Sequence, residues 1–388
     1  MAWMARKGPE MQVEQLTLRR GADVTGRLAS LQAVQPNLLL VFGSVDWLRQ
    51  VAEPLLEAFP EALRMGCTTA GEISADGVSD DTCVLTAVRF DKCRPLQVST
   101  RLASMADSED AGRRLAAQLP RDGLRAVLIL GQGVAINGSA LIIGMTEVLG
   151  PDIPITGGLA GDAAAFTETW ILNQSGVHRD ELVCLGLYGD ALRFSHGSFG
   201  GWSPFGPARK VTRCDHNVLY ELDGEPALDI YKRYLGDHAR DLPASGLLFP
   251  FAMLGSDHSD IGLIRTILAV DESVGSLTLA GEIDPDGYLR LMHAGTDALV
   301  EGAEAAAHAA REMQEGDGSG LVLLVSCVGR KLVMGGRVDE EIEAVADVFG
   351  QGACIAGFYS NGEISPFTGN RECKLHNQTM TITHIAEG

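Results

Sequence analysis

Two histidines and two repeated glutamates are the residues best placed to do chemistry. His196 shares a strand face with Leu192 and Phe194, and His293 shares one with Leu289 and Leu291, so each imidazole stands at the end of an apolar ladder. An apolar wall ending in one imidazole is what a haem pocket with a single proximal ligand requires; a hydrogen-bonded structural histidine is the other reading of either residue. His196 is the preferred iron ligand, ahead of His293. The segment Gly197 to Gly206 adds flat aromatics, Trp202 among them, and freely bending backbone, while Arg209 and Lys210 are placed to meet propionates. His178, His216, His238, His258, His308, His376 and His384 lie in polar or helix-surface contexts and read as solvated.

Glu72 and Glu363 each follow a glycine in the repeated pattern G-x-x-x-x-G-E-I-S, at Gly66 to Ser74 and Gly357 to Ser365. Either they accept hydrogen bonds from facing amides or a ligand's amine, or each fixes its own loop through side-chain to backbone bonds. The candidate ligand-binding set in these loops is Cys67, Thr68, Glu72, Tyr359, Asn361 and Glu363. Cys67 and Cys327 sit just past strands in loops that read as matching, where backbone amides would lower a thiol pKa; a small residue filling tight packing is the alternative. Phosphate-binding, zinc-helix and nucleophile-elbow motifs are absent, and Gly131-Gln-Gly133 lacks the dinucleotide spacing because the next glycine is Gly138.

The elements that must position these residues repeat along the chain. Leu38 to Ser44 is an apolar run, followed by a helical stretch from Trp47 to Phe59 and a second short strand before Gly71. Leu321 to Cys327, Glu340 to Phe349 and Cys354 to Ser365 give a second copy. A weaker third runs through Ala126 to Leu130, Ser139 to Leu149 and Ile153 to Asp162. Continuous rather than alternating apolar strands point to sheets covered on both faces. Between the copies lie segments of period 2: Leu182 to Tyr188, Leu192 to His196, Asn217 to Leu222, and a hairpin of Leu277 to Ala280 with Tyr288 to Met292 across Asp284 to Gly287. Pro226 opens and Gly236 closes an amphipathic helix, and another spans Asp297 to Met313. The fold class is α/β: two related mixed α/β halves with strand-helix-strand units, glycine-rich strand-end loops and antiparallel additions.

Composition sets outer bounds. Forty-six glycines in 388 residues, about 12% against a usual ~7%, must sit at particular turns. A formal charge of -20 argues against nucleic acid and anionic membranes as partners. Arg6 and Lys7 have no apolar stretch behind them, no window is apolar enough to span a bilayer, and eight scattered cysteines read as reduced thiols, so a cytoplasmic location is expected.

The ordered segments Met65 to Ile73, Gly201 to Thr212, Tyr220 to Leu228, Leu289 to Met292 and Gly357 to Pro366 together resemble FIST proteins, from about Leu38 to Pro366. The resemblance implies an N-terminal extension over 1–30, a FIST N-terminal domain over 31–212, a FIST C-terminal domain over 213–370 and a C-terminal strand or tail over 371–388. It implies ligand sensing coupled to signal transduction, so the chain is expected to be no enzyme and to pass its signal to a separate partner. The stand-alone haem-bound subgroup it is similar to senses nitric oxide and regulates a sensor histidine kinase. In that case haem would be held by His196 or His293 with Trp202 and Arg209. The alternatives are a haem-free sensor of amino acids or another small metabolite and, less favoured, a cysteine-dependent enzyme.

Overall fold

In the computed structural model, residues 11–313, 318–367 and 372–388 are described; Arg6 and Lys7 lie outside them. Each of the three strand-helix-strand copies forms a parallel pair at the heart of its own six-stranded sheet. In the first, Leu38–Gly43 runs beside Leu63–Cys67, with Val41 opposite Gly66. In the second, Leu124–Gly131 runs beside Ile155–Leu159, with Ile129 opposite Gly157. In the third, Gly320–Cys327 runs beside Ala353–Ser360, with Leu324 opposite Gly357. The mixed α/β class is as expected, and the copy that is weak in sequence, the second in chain order, is a full structural member.

Alternate residues of the first strands explain why the sequence reads as unbroken apolar runs. Leu38, Leu40 and Phe42 face a central core shared with Leu128, Leu130 and Leu323 of the other two sheets. Leu39 and Val41 face outward under Val45–Ala58, Val127 and Ile129 under Ser108–Ala116 and Gly138–Leu149, and Val322 and Leu324 under Thr296–Glu312 and Asp339–Phe349. Both faces are buried, each such side chain contributing about 1.5–3 kcal/mol, so polar residues fall near the strand ends, Arg125 at the start of one and Ser326 near the close of another.

Each copy then sends a hairpin into a neighbouring sheet. Glu72–Ser74 with Gly77–Ser79, following the first copy, pairs with Ala353–Ser360 of the third sheet. Ile171–Asn173 with Gly176–His178, following the second, pairs with Leu63–Cys67 of the first. Gly362–Pro366 with Cys373–His376, following the third, pairs with Ile155–Leu159 of the second. The exchange is cyclic and closes on itself.

A nine-stranded antiparallel sheet is inserted into the third copy, between Leu192–Phe199 and the helix Thr296–Glu312. Its own core packs the helix Ala227–Leu235 through Leu228, Tyr231 and Leu235, and that helix stops at Gly236 with φ 56°. Two expectations are corrected. The segments Ser276–Leu279 and Tyr288–His293 do not pair with each other. The former lies between Val218–Leu222 and Ile267–Asp271, the latter against Phe251–Leu254 and Arg209–Asp215, because Ala280 and Ile283 bond to Thr266 and His216 and carry the chain across before the turn. His376 and His384 are buried rather than solvated, the first on the edge strand of the second sheet and the second on an inner strand of the third, with Nε2 2.9 Å from the backbone oxygens of Ser365 and Ser319 respectively. No helix among the described residues is long and apolar enough to cross a membrane.

Candidate functional site

The three glycine-rich loops between second strand and exchanged hairpin meet in a ring of backbone bonds. Ala70 donates to the oxygen of Tyr359 at 2.8 Å, Gly161 to that of Thr68 at 2.9 Å, and Asn361 to that of Leu159 at 3.1 Å, so each loop holds the next. The strands that lead into the loops need glycine: a Cβ on Gly157 would lie 1.9 Å from the oxygen of Ile129, and one on Gly357 1.9 Å from that of Leu324.

These loops carry Thr68, Tyr359 and Asn361, with Cys67 at the strand end before one of them and Glu72 and Glu363 opening the hairpins after them, but the side chains part: Cys67 joins the central core, Tyr359 the outer core of the third sheet, and Glu72 and Asn361 line different cavities. Glu72 accepts from Thr69 Oγ1, from the Thr82 amide at 3.1 Å and from Thr82 Oγ1 at 2.8 Å. Glu363 repeats the pattern with Ser360 Oγ at 2.7 Å and the amide and hydroxyl of Thr379 at 3.2 and 3.0 Å. Each carboxyl thus ties the entry of its hairpin to the strand that follows it. Burial raises both, Glu363 to about 8, against the pull of these bonds. The second copy has Ile171 at the equivalent register and no third carboxyl. Thr68 Oγ1 accepts from the Trp170 amide at 3.0 Å. The Tyr359 hydroxyl donates to Glu341, which also takes Arg330 at 2.7 Å and Ser326 Oγ at 3.1 Å, all inside the protein.

Cys67 and Cys327 are not in matching loops. Cys67 ends a second strand opposite Phe42, whereas Cys327 ends a first strand opposite Ser360 and caps the helix Val328–Met334. Burial pushes both thiols well up, and it is the leading cause of an upward shift at all eight cysteines. The expected activation by loop amides is therefore absent: Cys327 receives the Gly329 amide at 3.4 Å, and desolvation outweighs it. The cysteine-enzyme alternative loses its nucleophile.

The haem set does not converge. His196 is buried on the inner face of its strand, and burial lowers it to about 4; His293 is exposed, its ring against Phe205. Arg209 is committed to Asp223 at 3.0 Å and the Tyr234 hydroxyl at 2.7 Å, and the Trp202 indole donates to the Gln378 oxygen at 2.7 Å. Of the four, Trp202 alone lines one of the cavities described here, a space of about 310 Å³ also bordered by His376. The residues do not fit a haem ligated by either histidine.

Two other cavities lie along the seam between the inserted sheet and the second sheet. The smaller, about 280 Å³, is lined by Gly133, Asn137, Gly138 and Leu159 below and by Asn217, Thr278 and Gly281 above, with Asn361 and Asn377 between. Asn361 Nδ2 donates to the Gly133 oxygen at 3.2 Å, which fixes the orientation of its carboxamide. Among the described residues its Oδ1 is buried without a partner, and so is Oδ1 of Asn377, a residue only 1% exposed. Two residues of one cavity's lining thus each carry a buried carbonyl oxygen without a partner, a costly arrangement that an N–H donor relieves. Asn361 was in the sequence set. Asn377 was not: it sits in the polar run His376 to Thr379, which reads as an exposed loop, and its only sequence signal is its place between two strand-forming segments.

A FIST N domain matches residues 37–225 and a FIST C domain residues 227–366. An uncharacterized protein of Methanocaldococcus jannaschii is 28% identical over 205 residues, 49% of this chain and 38% of that one. Uncharacterized proteins of two Mycobacterium tuberculosis strains are 26% identical over 252 residues, 61% of this chain and 63% of theirs. The chain thus spans less than two thirds of the length of these relatives. Among solved structures, the cyanuric acid hydrolase from A. caulinodans is similar at a TM-score of 0.36 and 10% identity, over 97% of this chain and 99% of that one. A second cyanuric acid hydrolase structure has a TM-score of 0.33 at 10% identity, over 98% of this chain and 100% of its own. The expectation that the chain is no enzyme is corrected on this finding: the solved neighbours are enzymes, and the exclusion of catalysis is withdrawn. At these TM-scores the likeness carries no argument for a particular reaction.

Proposed function

The chain belongs to the FIST-domain proteins, with an N and a C domain of that family in succession, and from that premise we propose that it is a sensor of a small ligand bearing N–H donors, a free amino acid or a close relative. The ligand occupies the 280 Å³ cavity at the seam, a volume at the lower end of the usual range for small-molecule sites. The observation that carries the reading is the pair of buried, unpartnered oxygens, Asn361 Oδ1 and Asn377 Oδ1. An ammonium or amide group satisfies both. The Gly138 amide, which heads a twelve-residue helix without an intrahelical acceptor, stands on the same wall to receive a carboxylate.

Sensing requires that the bound state favour one arrangement of the protein over another, typically by about 1–3 kcal/mol. The cavity lies between the inserted sheet and the three-sheet body, so a ligand that pairs groups on both sides draws the two together. The cavities supply no support for the haem, nitric oxide and histidine kinase of the sequence expectation, and the haem-free alternative is the reading proposed. Calorimetric titration with the free amino acids tests it. At least one should bind, and Asn377→Leu should weaken that binding at least tenfold. Failure of the whole panel, or binding indifferent to Asn377→Leu, sinks the proposal.

A further inference from the structure

The larger seam cavity, about 530 Å³, carries a different chemistry. Its walls are mainly apolar: Ile142, Ile143 and Ile153 from the second copy, Met253, Leu263 and Ile283 from the inserted sheet. Set among them is Arg265, 3% exposed. Its Nε donates to the Glu282 oxygen at 3.0 Å, and its Nη1 to the oxygens of Ile264 and Leu375 at 3.1 and 3.2 Å. All three acceptors are neutral carbonyls. No carboxylate makes an ion pair with this guanidinium among the described residues, and Nη2 has no hydrogen-bond partner there. The acids that border the cavity have other commitments. Glu282 accepts from Asn137 Nδ2 at 2.8 Å and lies 3.5 Å from His216 Nδ1, Glu147 pairs with Arg113 at 2.7 Å, Glu372 pairs with Lys374 at 2.5 Å, and Asp284 accepts from the Asp286 amide at 3.0 Å.

A buried cation without a hydrogen-bonded anion is expensive, and a planar guanidinium is the group best shaped to receive a carboxylate in two parallel bonds. We infer that this cavity is a second binding site, for an apolar carboxylate such as a medium-chain fatty acid, whose head group meets Arg265 and whose chain lies along Ile142, Ile143, Ile153 and Met253. Burial acts on the guanidinium in the same sense, lowering it to about 10, a displacement that a bound carboxylate reverses. The site is separate from the amino-acid cavity: the Asn137–Glu282 bond runs between them, Asn137 lining the smaller and Glu282 the larger.

The test is calorimetric titration of the whole protein with decanoate, 1-decanol and decylamine. Decanoate should bind at least tenfold more tightly than the alcohol, and the amine should not bind. Because Arg265 also anchors three carbonyls, the informative variant is Ile143→Glu. Ile143 is 49% exposed, so the change is compatible with folding, and it places a like charge in the apolar channel. It should reduce decanoate affinity at least tenfold, while Asn377→Leu should leave decanoate binding unchanged and so separate this site from the first. Equal binding of decanoate and decanol, binding of the amine, absence of decanoate binding, or a variant that binds decanoate as wild type does would each overturn the assignment.

Discussion

Arg330 and Glu341 meet at 2.7 Å with neither side chain exposed to any degree. The same guanidinium donates to the backbone oxygens of Gly200 and Leu299, at the root of the inserted sheet, and the same carboxylate receives Tyr359 and Ser326. Arg330→Met leaves Glu341 buried without its cation and should lower unfolding free energy by about 3–5 kcal/mol in urea denaturation. A loss below about 1 kcal/mol would show the pair to be dispensable.

The parallel strand pairs that lead into the loop ring depend on the absence of a Cβ. Gly157→Ala places a methyl group 1.9 Å from the Ile129 oxygen at a φ of 133°, so the strands must part; upward of about 2 kcal/mol should be lost. Gly336→Ala, with nothing within 4 Å of the added carbon, is the control and should stay within about 0.5 kcal/mol of wild type by the same thermal melts.

Two buried groups shape the pH profile from opposite sides. Glu363 is raised from 4.5 to about 8, so the folded state holds its proton more tightly; its contribution to stability is complete below pH 4.5 and fades as pH rises toward 8. His376 is lowered from 6.5 to about 4, so the unfolded chain takes up a proton first and stability fades as pH falls from 6.5 toward 4. In melting temperatures measured across this range, Glu363→Gln should flatten the alkaline arm and His376→Asn the acid arm. Unchanged slopes would remove these residues from the profile.

Asn377→Leu should separate binding from stability. Replacing a buried carboxamide whose oxygen has no partner by an apolar group of similar size removes a desolvation cost, so the variant should melt no lower than wild type while losing the amino-acid response. A large drop in melting temperature would mean that Asn377 is a structural residue.

Thiol reactivity should be low throughout. Native protein at pH 7.5 should react slowly with iodoacetamide, the half-buried Cys214 and Cys354 first, with Cys67 and Cys327 unmodified until denaturant is added. Rapid alkylation of Cys67 in the native state would contradict the burial described above.

The doubly covered strands were legible because burial on both faces leaves one possible texture: Leu38 to Phe42 and Leu321 to Val325 have no solvent side to show. The repeat was legible where it kept Glu72 and Glu363, and faint where Ile171 stands in the equivalent position behind a longer loop. The partner of each hairpin was not legible, because pairing across more than 280 residues, as between Ile73 and Gly357, leaves no local trace. The burial of His376, expected in solvent, has a related cause. A polar run usually marks solvent, but here the inserted sheet closes over it, and Gln378 Nε2 donates to the Leu247 oxygen at 2.9 Å and to Thr266 Oγ1 at 3.1 Å, both from the inserted region. The seam cavities lie between segments remote in sequence, and Arg265, the last residue of the strand Asp260–Arg265, has no local pattern that marks it as part of one.

The cyclic exchange of hairpins bears on how the molecule is made. The third sheet draws on Glu72–Ser79, on Leu192–Phe199 and on Met380–Glu387, and the last of these lies between two other strands rather than at an edge. Early segments therefore have to wait, with their pairing edges open, for a strand synthesised more than three hundred residues after the first hairpin. Until that strand arrives the open edges are exposed to mispairing, and neither matched domain, released by proteolysis, carries the strands needed to complete a sheet of its own.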